Sequence, residues 1–371
     1  MPMEDDKREK ERKKSRIWQK LLIWSVNVLI GLVLTFIILI GILYVSEYKP
    51  NPVEQLGVDE VPEDQIPLHE PITLMTYNIG YGALGDNADF FMDGGKSVKT
   101  ATQDRVYENM DEIVSATEEM NPDIIFYQEV DENSHRSSHM NEVNYLEWAF
   151  PDYETAFAYN FRVWFIPYPL PPIGKVNSGI MTLSRYEIEE AERVSLPCPF
   201  TGIERLGNLK RCLLVAHLPV EGSDRELTLI NLHLEAYDDG EGKAAQTEKL
   251  REVLQAEYEK GNYVIAGGDF NQVFSGVDPD IYPVREGYWQ PGVIQEGDFS
   301  DDWQFVMDPS MPTCRSLDRP YAGADPDTFQ YYMIDGYILS SNVKLIGVET
   351  QNLGFVSSDH NPVLMQVVLE E

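Results

Sequence analysis

The sequence predicts an α/β (α+β) domain of antiparallel or mixed β-sheets with helices packed outside, preceded by one membrane-spanning helix. Three observations carry that expectation. Leu21 to Ser46 contains no charged side chain and is mostly Leu, Ile and Val. Beyond residue 72, short Val/Ile/Leu-rich runs outnumber helical patterns and several adjoin directly, which favours antiparallel or mixed pairing. Most of those runs end in Asn, Asp, Glu or His, so one end of the sheets is expected to be polar.

The apolar run is 26 residues long, and roughly 20 suffice to cross a bilayer as a helix. Trp18, Trp24, Tyr44 and Tyr48 stand near its ends, where interfacial aromatics belong. A cleaved signal peptide would be shorter and followed by a small-x-small site, which Tyr44-Val-Ser-Glu-Tyr48 is not. Residues 1–20, with eight Lys/Arg against five acids, read as a basic cytoplasmic tail and 21–46 as an uncleaved anchor. By the positive-inside rule, the rest of the chain lies outside the cell membrane. Residues 47–71 hold five prolines and several acids without apolar periodicity, and read as an extended linker. Residues 72–371 form the folded domain.

Of the chain's 29 basic and 62 acidic side chains, the tail takes eight and five, leaving 21 against 57. Such a surface repels polyanions, which disfavours a nucleic-acid binder that works through a basic stripe. It does not exclude a nuclease, since metal ions invert the field locally. Three cysteines are too few for a disulfide framework.

Within the domain, Ile72–Tyr77 is a strand ending at Asn78, and 80–95 a loop. Gln103–Met120 is an amphipathic helix with Val106, Met110, Ile113, Val114 and Thr117 on one face. Pro122 stops it, and Asp123–Tyr127 is a buried strand leading to Gln128 and Glu129. Gly179–Leu183, Leu213–His217 and Leu227–Leu232 are further strands. A helix from about Ala244 to Glu259, closed by Gly261, precedes the strand Asn262–Ala266. Tyr332–Leu339 and Pro362–Val368 complete the set. Asp93-Gly-Gly-Lys-Ser97 lacks the first glycine of a P-loop, because Phe90 stands there. Val163–Ile173 is apolar, proline-rich and uncharged, so neither a regular helix nor a central strand. It is either a loop across the core or an apolar lip that meets lipid.

The chemistry centres on Gly267-Gly-Asp-Phe-Asn271. Asp269 and Asn271 are two apart and point the same way on extended backbone, though the segment is also a good turn. Asn78 and Glu129 end two other strands. Asn231 and His233 share a face of a third, Asp335 interrupts an apolar strand, and Asp359 and His360 follow Ser357-Ser358. Each alone has a bland reading as a turn, cap or core residue. Together they repeat one context, polar at the exit of an apolar strand.

Met75-Thr-Tyr-Asn78, Gln128-Glu129, Ser178-Gly-Ile-Met181, Asn231-Leu-His233, Gly268-Asp-Phe-Asn271, Ile334-Asp335 and Ser358-Asp-His-Asn-Pro362 resemble, in order, the endonuclease/exonuclease/phosphatase superfamily. That group includes pancreatic-type DNase, abasic-site endonuclease, neutral sphingomyelinase and inositol-polyphosphate 5-phosphatase. The resemblance covers nearly all of 72–371 and implies a four-layer α/β/β/α sandwich of two mixed sheets with the site at one end. It further implies Glu129 as the main ligand of Mg²⁺ (or Mn²⁺), with Asn78 beside it and Asp359 as a further contact. Asp269 would orient or deprotonate the attacking water. Asn271 and Asn231 would hold phosphoryl oxygens, His360 would contact phosphate while oriented by Asp335, and His233 would bind phosphate or the leaving group. Arg136 lies just beyond Glu129, within reach of substrate; His135 and His139 read as a surface loop. The expected activity is phosphodiester hydrolysis, on a phospholipid or another small phosphoester. The alternatives are an extracellular endonuclease of the same fold and a non-catalytic binding domain. No obligate protein partner is inferred.

Overall fold

Residues 2–58, 64–238 and 240–370 are described by a computed structural model, which separates into two units, Met1–Glu47 and Tyr48–Glu371. The first unit is a single helix, α1 (Pro2–Val45), long and apolar enough to cross a membrane. Two hydroxyls of its apolar stretch bond back into the helix. Ser25 donates to the Leu21 carbonyl and Thr35 to that of Gly31, so these two protons are satisfied within the helix.

The second unit is built on two sheets. Its first nine strands are β1 (Val53–Gln55), β2 (Ile72–Asn78), β3 (Ile124–Asp131), β4 (Glu154–Ile166), β5 (Gly174–Ser184), β6 (Glu190–Ser195), β7 (Cys212–Pro219), β8 (Glu226–His233) and β9 (Tyr263–Asp269). One sheet has seven strands in the order β1, β6, β7, β8, β9, Asp335–Ser340, Trp303–Val306. The other has six, in the order Val343–Thr350, Val363–Leu369, β2, β3, β5, β4. β2 runs parallel to β3 and β8 to β9, while their outer neighbours are antiparallel. The sheets are therefore mixed.

Alternation along the strands produces the layers. Leu74, Ile124, Phe126 and Ile180 of one sheet meet Leu214, Leu229, Ile265 and Leu339 of the other in a buried inter-sheet core. The intervening Met75, Tyr77, Ile125 and Tyr127 face outward onto Val106, Met110 and Ile113 of α2 (Gln103–Met120). On the opposite side Val264, Ala266 and Ile230 pack against Leu250 and Leu254 of the Glu241–Glu259 helix. Helix, sheet, sheet, helix is the predicted four-layer sandwich. The start of α2 is set by Thr102, whose hydroxyl accepts from the Arg105 N–H, and its end by Asn121 at φ +49°. A capping hydroxyl and a left-handed Asn are the expected devices at those two ends.

One boundary moves. Residues 47–71 were expected to be a linker apart from the domain, but their described part belongs to it. β1 pairs antiparallel with β6, the Leu56 N–H donates to the Ala191 carbonyl at 2.8 Å, and Ile66 is fully buried beside Val220. A sheet edge offers unpaired backbone groups that any extended chain can satisfy, whatever its composition. Residues 59–63 of the expected linker lie outside the described residues. All three cysteines are free.

Candidate active site

Strand register brings the polar residues into one row. Asp269, the last residue of β9, stands opposite His233 on β8 and opposite Asp335 on the other side. Residues opposite one another share a face. Asp335 was expected inside a Tyr332–Leu339 strand; it is instead the first residue of Asp335–Ser340. Because that strand runs antiparallel to β9, its beginning lies where β9 ends. Asn78 ends β2 and pairs with Gln128 on β3.

Glu129 reaches the site through a bulge. The β3–β5 register shifts between Gln128 and Val130, and Glu129 has φ +56°. The extra residue lets Gln128 point between the sheets while Glu129 turns into the cavity. A non-glycine residue at positive φ is held at an energetic cost of order 1 kcal/mol.

The groups are closely wired. Asn78 Nδ2 donates to Asp269 Oδ2 at 3.0 Å and lies 3.4 Å from Glu129 Oε1. Asp269 Oδ1 accepts the Asn271 N–H at 2.9 Å. His233 Nε2 and His360 Nε2 flank Asp269 Oδ2 at 3.4 and 3.8 Å. His360 Nδ1 meets Asp335 Oδ2 at 2.9 Å. Ser358 donates to the Asn78 carbonyl and accepts from the His360 N–H, fixing the 358–360 loop to the end of β2. Asn271 adopts φ +51°, and its Nδ2 donates to the Leu234 carbonyl at 3.0 Å.

Electrostatics separate these groups. Burial and the nearby Asp335 carboxylate raise Asp269 above the usual carboxylate range, against the opposing pull of His360. Burial alone would lower His360, but the Asp335 carboxylate overrides it and holds the imidazole protonated. His233 goes the other way: burial and the Arg211 guanidinium push it well below its usual value, so it is neutral. Burial raises Asp359 to about 6, with His360 opposing.

Glu129, His233, Asp269, Asn271, Asp359 and His360 floor a cavity of about 670 Å³ whose walls include Phe90, Phe161, Ile166, Trp289, Tyr332 and Leu317. Three arginines also line it. Arg136 makes a bidentate pair with Asp131 (2.9 and 3.0 Å), and its guanidinium carbon stands 3.7 Å from the Tyr81 ring centre. Arg211 pairs with Glu235 at 3.3 Å. Arg315 donates to the carbonyls of Gly85 and Ser316, while its buried Nε has no hydrogen-bond partner. Arg136 was foreseen. Arg211, beside Lys210 in sequence, and Arg315, in an aperiodic stretch, carry no site signal of their own and are brought in by the fold.

Asn231 is the one predicted site residue placed elsewhere. It is fully buried between the sheets. Nδ2 donates to the carbonyls of Tyr127 (3.2 Å) and Met181 (2.9 Å), and Oδ1 accepts from Gln128 Nε2 at 2.9 Å. Lying two residues before His233 on the same face of β8, it is set one pleat back from the row of site residues. Its amide therefore clamps the two sheets instead of facing a phosphoryl group. His135 and His139 stand edge to face outside this cluster, as a surface pair.

The donor set fits a hard divalent cation. Glu129 and Asp359 place carboxylates in the cavity, and the buried Oδ1 of Asp359 has no hydrogen-bond partner. Gly80, at φ +53°, approaches that oxygen so closely that a Cβ would lie 3.1 Å from it. A buried carboxylate oxygen left without a donor costs about 1–3 kcal/mol or more unless a cation or water satisfies it.

Fold and site together define a class, the two-sheet sandwiches that carry acid, amide and imidazole groups at one end of paired strands. The model of the Endonuclease/Exonuclease/phosphatase family matches residues 75–333, and the chain belongs to that family. Family members are phosphoesterases and nucleases that generally use divalent metals. Among solved structures, an endonuclease/exonuclease/phosphatase from Beutenbergia cavernae is similar over 81% of this chain and 72% of that one, at 18% identity and a TM-score of 0.56. A second, from Bacteroides vulgatus, is similar over 81% of this chain and 100% of that one, at 15% identity and a TM-score of 0.52. No curated protein sequence matches the chain.

Proposed function

We propose that the chain is a membrane-anchored, Mg²⁺-dependent (or Mn²⁺-dependent) phosphoesterase facing outward, which hydrolyses a phosphodiester with an apolar portion, a phospholipid above all. The observation that carries this reading is the union, in one cavity, of the Glu129–Asp269–His360 cluster with aromatic and aliphatic walls. Such walls accommodate an acyl or similar apolar group, and it is the acidic exterior that disfavours a long polyanion. The β4–β5 hairpin extends the same surface: Ile166 and Ile173 line the cavity, while Trp164 (57%) and Leu170 (85%) are exposed near its tip. Large apolar side chains grouped in the open mark an interaction surface.

Glu129 and Asp359 would hold the cation, with Asn78 beside Glu129. When bound, the ion polarises a phosphoryl oxygen and neutralises developing charge. Asp269 is the base: its raised affinity for a proton suits it to take one from water at Oδ2 near neutral pH. Asn78 and His233 hold that carboxylate in position from two sides. His360, kept charged by Asp335, donates from Nε2 to a phosphoryl oxygen, and the second N–H of Asn271 Nδ2 serves the same group. His233 is the neighbouring contact for phosphate or the leaving group. Arg315, with its unpartnered Nε, adds positive charge at the wall. The acidic surface outside these walls favours a substrate that is not itself a long polyanion.

The test is hydrolysis of bis-p-nitrophenyl phosphate, phospholipid vesicles and DNA, with Mg²⁺, with Mn²⁺ and with EDTA. Turnover of lipid and of the small diester, abolished by EDTA and lowered at least about 1,000-fold by Asp269→Ala, is expected. Activity surviving either treatment would sink the mechanism, and turnover of DNA alone would favour the nuclease branch. Introducing charge with Trp164→Asp and Leu170→Asp should weaken lipid turnover and leave the small diester unchanged. Equal effects on both would mean that the hairpin does not meet lipid.

A further inference from the structure

Cys314 has no part in the chemistry above, yet it stands against it. Cys314 and His360 form an antiparallel backbone bridge, with the Asn361 N–H on Thr313 O and the Arg315 N–H on Asp359 O on either side. Residues directly opposite in such a bridge carry their side chains on one face, Cβ atoms roughly 5 Å apart. Ligand atoms of Cys314, Asp359 and His360 all lie within 4.8 Å of one another, and all three residues are buried.

We propose that Cys314 Sγ, His360 Nε2 and Asp359 form a second cation site, selective for a thiophilic divalent ion such as Zn²⁺ or Cd²⁺ and overlapping the oxygen-lined seat of the activating ion. Three observations converge on it. The donor set is one sulfur, one imidazole nitrogen and one carboxylate, the mixture that soft and borderline ions prefer and Mg²⁺ does not. Asp335 already accepts from His360 Nδ1 at 2.9 Å. That is the carboxylate–histidine arrangement which orients an imidazole to ligate through its other nitrogen. Asp359 Oδ1, more than nine-tenths buried, has no hydrogen-bond partner and faces the cavity. Three protein ligands leave a fourth position open toward the cavity, as in sites that keep an exchangeable water.

Binding releases the thiol proton and the Nε2 proton to solvent, since thiolate and neutral imidazole are the ligating forms. The two cations compete because they share atoms. Once Asp359 and His360 Nε2 are taken, the activating cation loses an oxygen ligand and the phosphoryl group loses its charged donor. The ion is therefore an inhibitor. Only this consequence rests on the phosphoesterase reading; the binding itself does not.

The test uses the full chain with Cd²⁺ and Zn²⁺ alone. Cd²⁺ should bind with the ultraviolet charge-transfer absorption of a cadmium–thiolate bond, in a ratio of one ion per chain. The band should vanish in Cys314→Ser and Cys314→Ala, and persist in Cys198→Ser and Cys212→Ser. In the Mg²⁺-supported reaction, Cys314→Ser should raise the Zn²⁺ concentration for half-inhibition by about 100-fold, the effect expected when the only soft ligand is lost. No band with the unmodified chain, or a band that survives both Cys314 substitutions, overturns the proposal whether or not those variants fold well. A normal cadmium titration in a chain inactive on every phosphoester would leave the site standing and fail the phosphoesterase reading alone.

Discussion

Asp269 and Asn231 show at the residue scale how far two similar signals diverge. Both are buried polar residues near the end of an apolar strand, and both belong to motifs that resemble the same family. Asp269 sits at the last position of β9, where the row of His233 and Asp335 closes around it. Asn231 lies two residues before the end of β8, where the second sheet covers it and consumes both halves of its amide. Truncation separates the two roles. Asn231→Leu removes the donor to the Tyr127 and Met181 carbonyls and the acceptor of Gln128 Nε2, which keeps Thr76 Oγ1 and the Phe126 carbonyl as partners. A buried group that loses its partner costs about 1–3 kcal/mol. The variant should lose at least about 2 kcal/mol of stability, a fall of several degrees in Tm. Its kcat/KM below the melting range should stay within a few-fold of the parent. A kcat/KM collapse with an unchanged Tm would return Asn231 to the phosphoryl group.

Elements act by where they stop and where they bend. β8, β9 and β2 all finish at one end of the sandwich, and the Asp335–Ser340 strand begins there, which is what assembles the site from distant sequence. The β3 bulge supplies the remaining carboxylate. Gly268, at φ +146°, allows β9 to lie so close to β8 that a Cβ there would fall 2.0 Å from the Leu232 carbonyl oxygen. The two sheets are also tied at their margins. Asp308, just after the Trp303–Val306 strand of one sheet, accepts from the Thr350 N–H of the other at 2.7 Å and from the Ser310 N–H and hydroxyl. Burial alone would raise the Asp308 carboxyl, but the Thr350 and Ser310 donors outweigh it and hold it below the usual range. A depressed carboxyl adds stability above the unfolded value, about 3.9, and loses it as pH falls through the folded one. Asp308→Ala should therefore cost about 1–2 kcal/mol at pH 7, with the difference from the parent shrinking below about pH 3.9. Denaturant titrations at pH 7, 5 and 3 would read it. A difference independent of pH would mean the carboxylate is not what ties the strands.

At the scale of the whole molecule, charge and cavity pull in opposite directions. The net charge is −33, yet Arg136, Arg211 and Arg315 line the cavity. A small diester that enters the cavity meets those arginines at short range, while a long polyanion must also lie along the acidic exterior. Repulsion of that kind is screened over about 10 Å at 0.1 M salt. Any residual kcat/KM on DNA should therefore rise as monovalent salt increases from 10 to 300 mM at fixed Mg²⁺, while that on bis-p-nitrophenyl phosphate stays nearly flat. A fall on DNA with added salt, the signature of counterion release from a basic groove, would show that the exterior does not govern substrate choice.

Local pattern was enough for much of this molecule. The uncharged run that forms the second half of α1, the face of α2, the strands around Asp269 and the chain positions of Glu129, Asp335 and His360 are all legible, because periodicity and residue type report burial and backbone state within a few residues. That α1 extends back through the charged tail to Pro2 is not. What pattern could not carry is adjacency. β4, β6 and the Val343–Thr350 strand carry no such signal, because β4 shows only its apolar end while the other two alternate weakly at solvated positions. The Pro-rich segment before Ile72 looked detached, because nothing in its composition marks pairing with β6. Arg315 and Cys314 looked idle, because their meaning depends on a backbone bridge to residues some 45 positions away. Only the tertiary structure decided that Asn231 clamps the sheets while Asp269 faces the cavity. Both are polar residues at strand ends, and the difference is one pleat of depth, which only the packing of the second sheet defines.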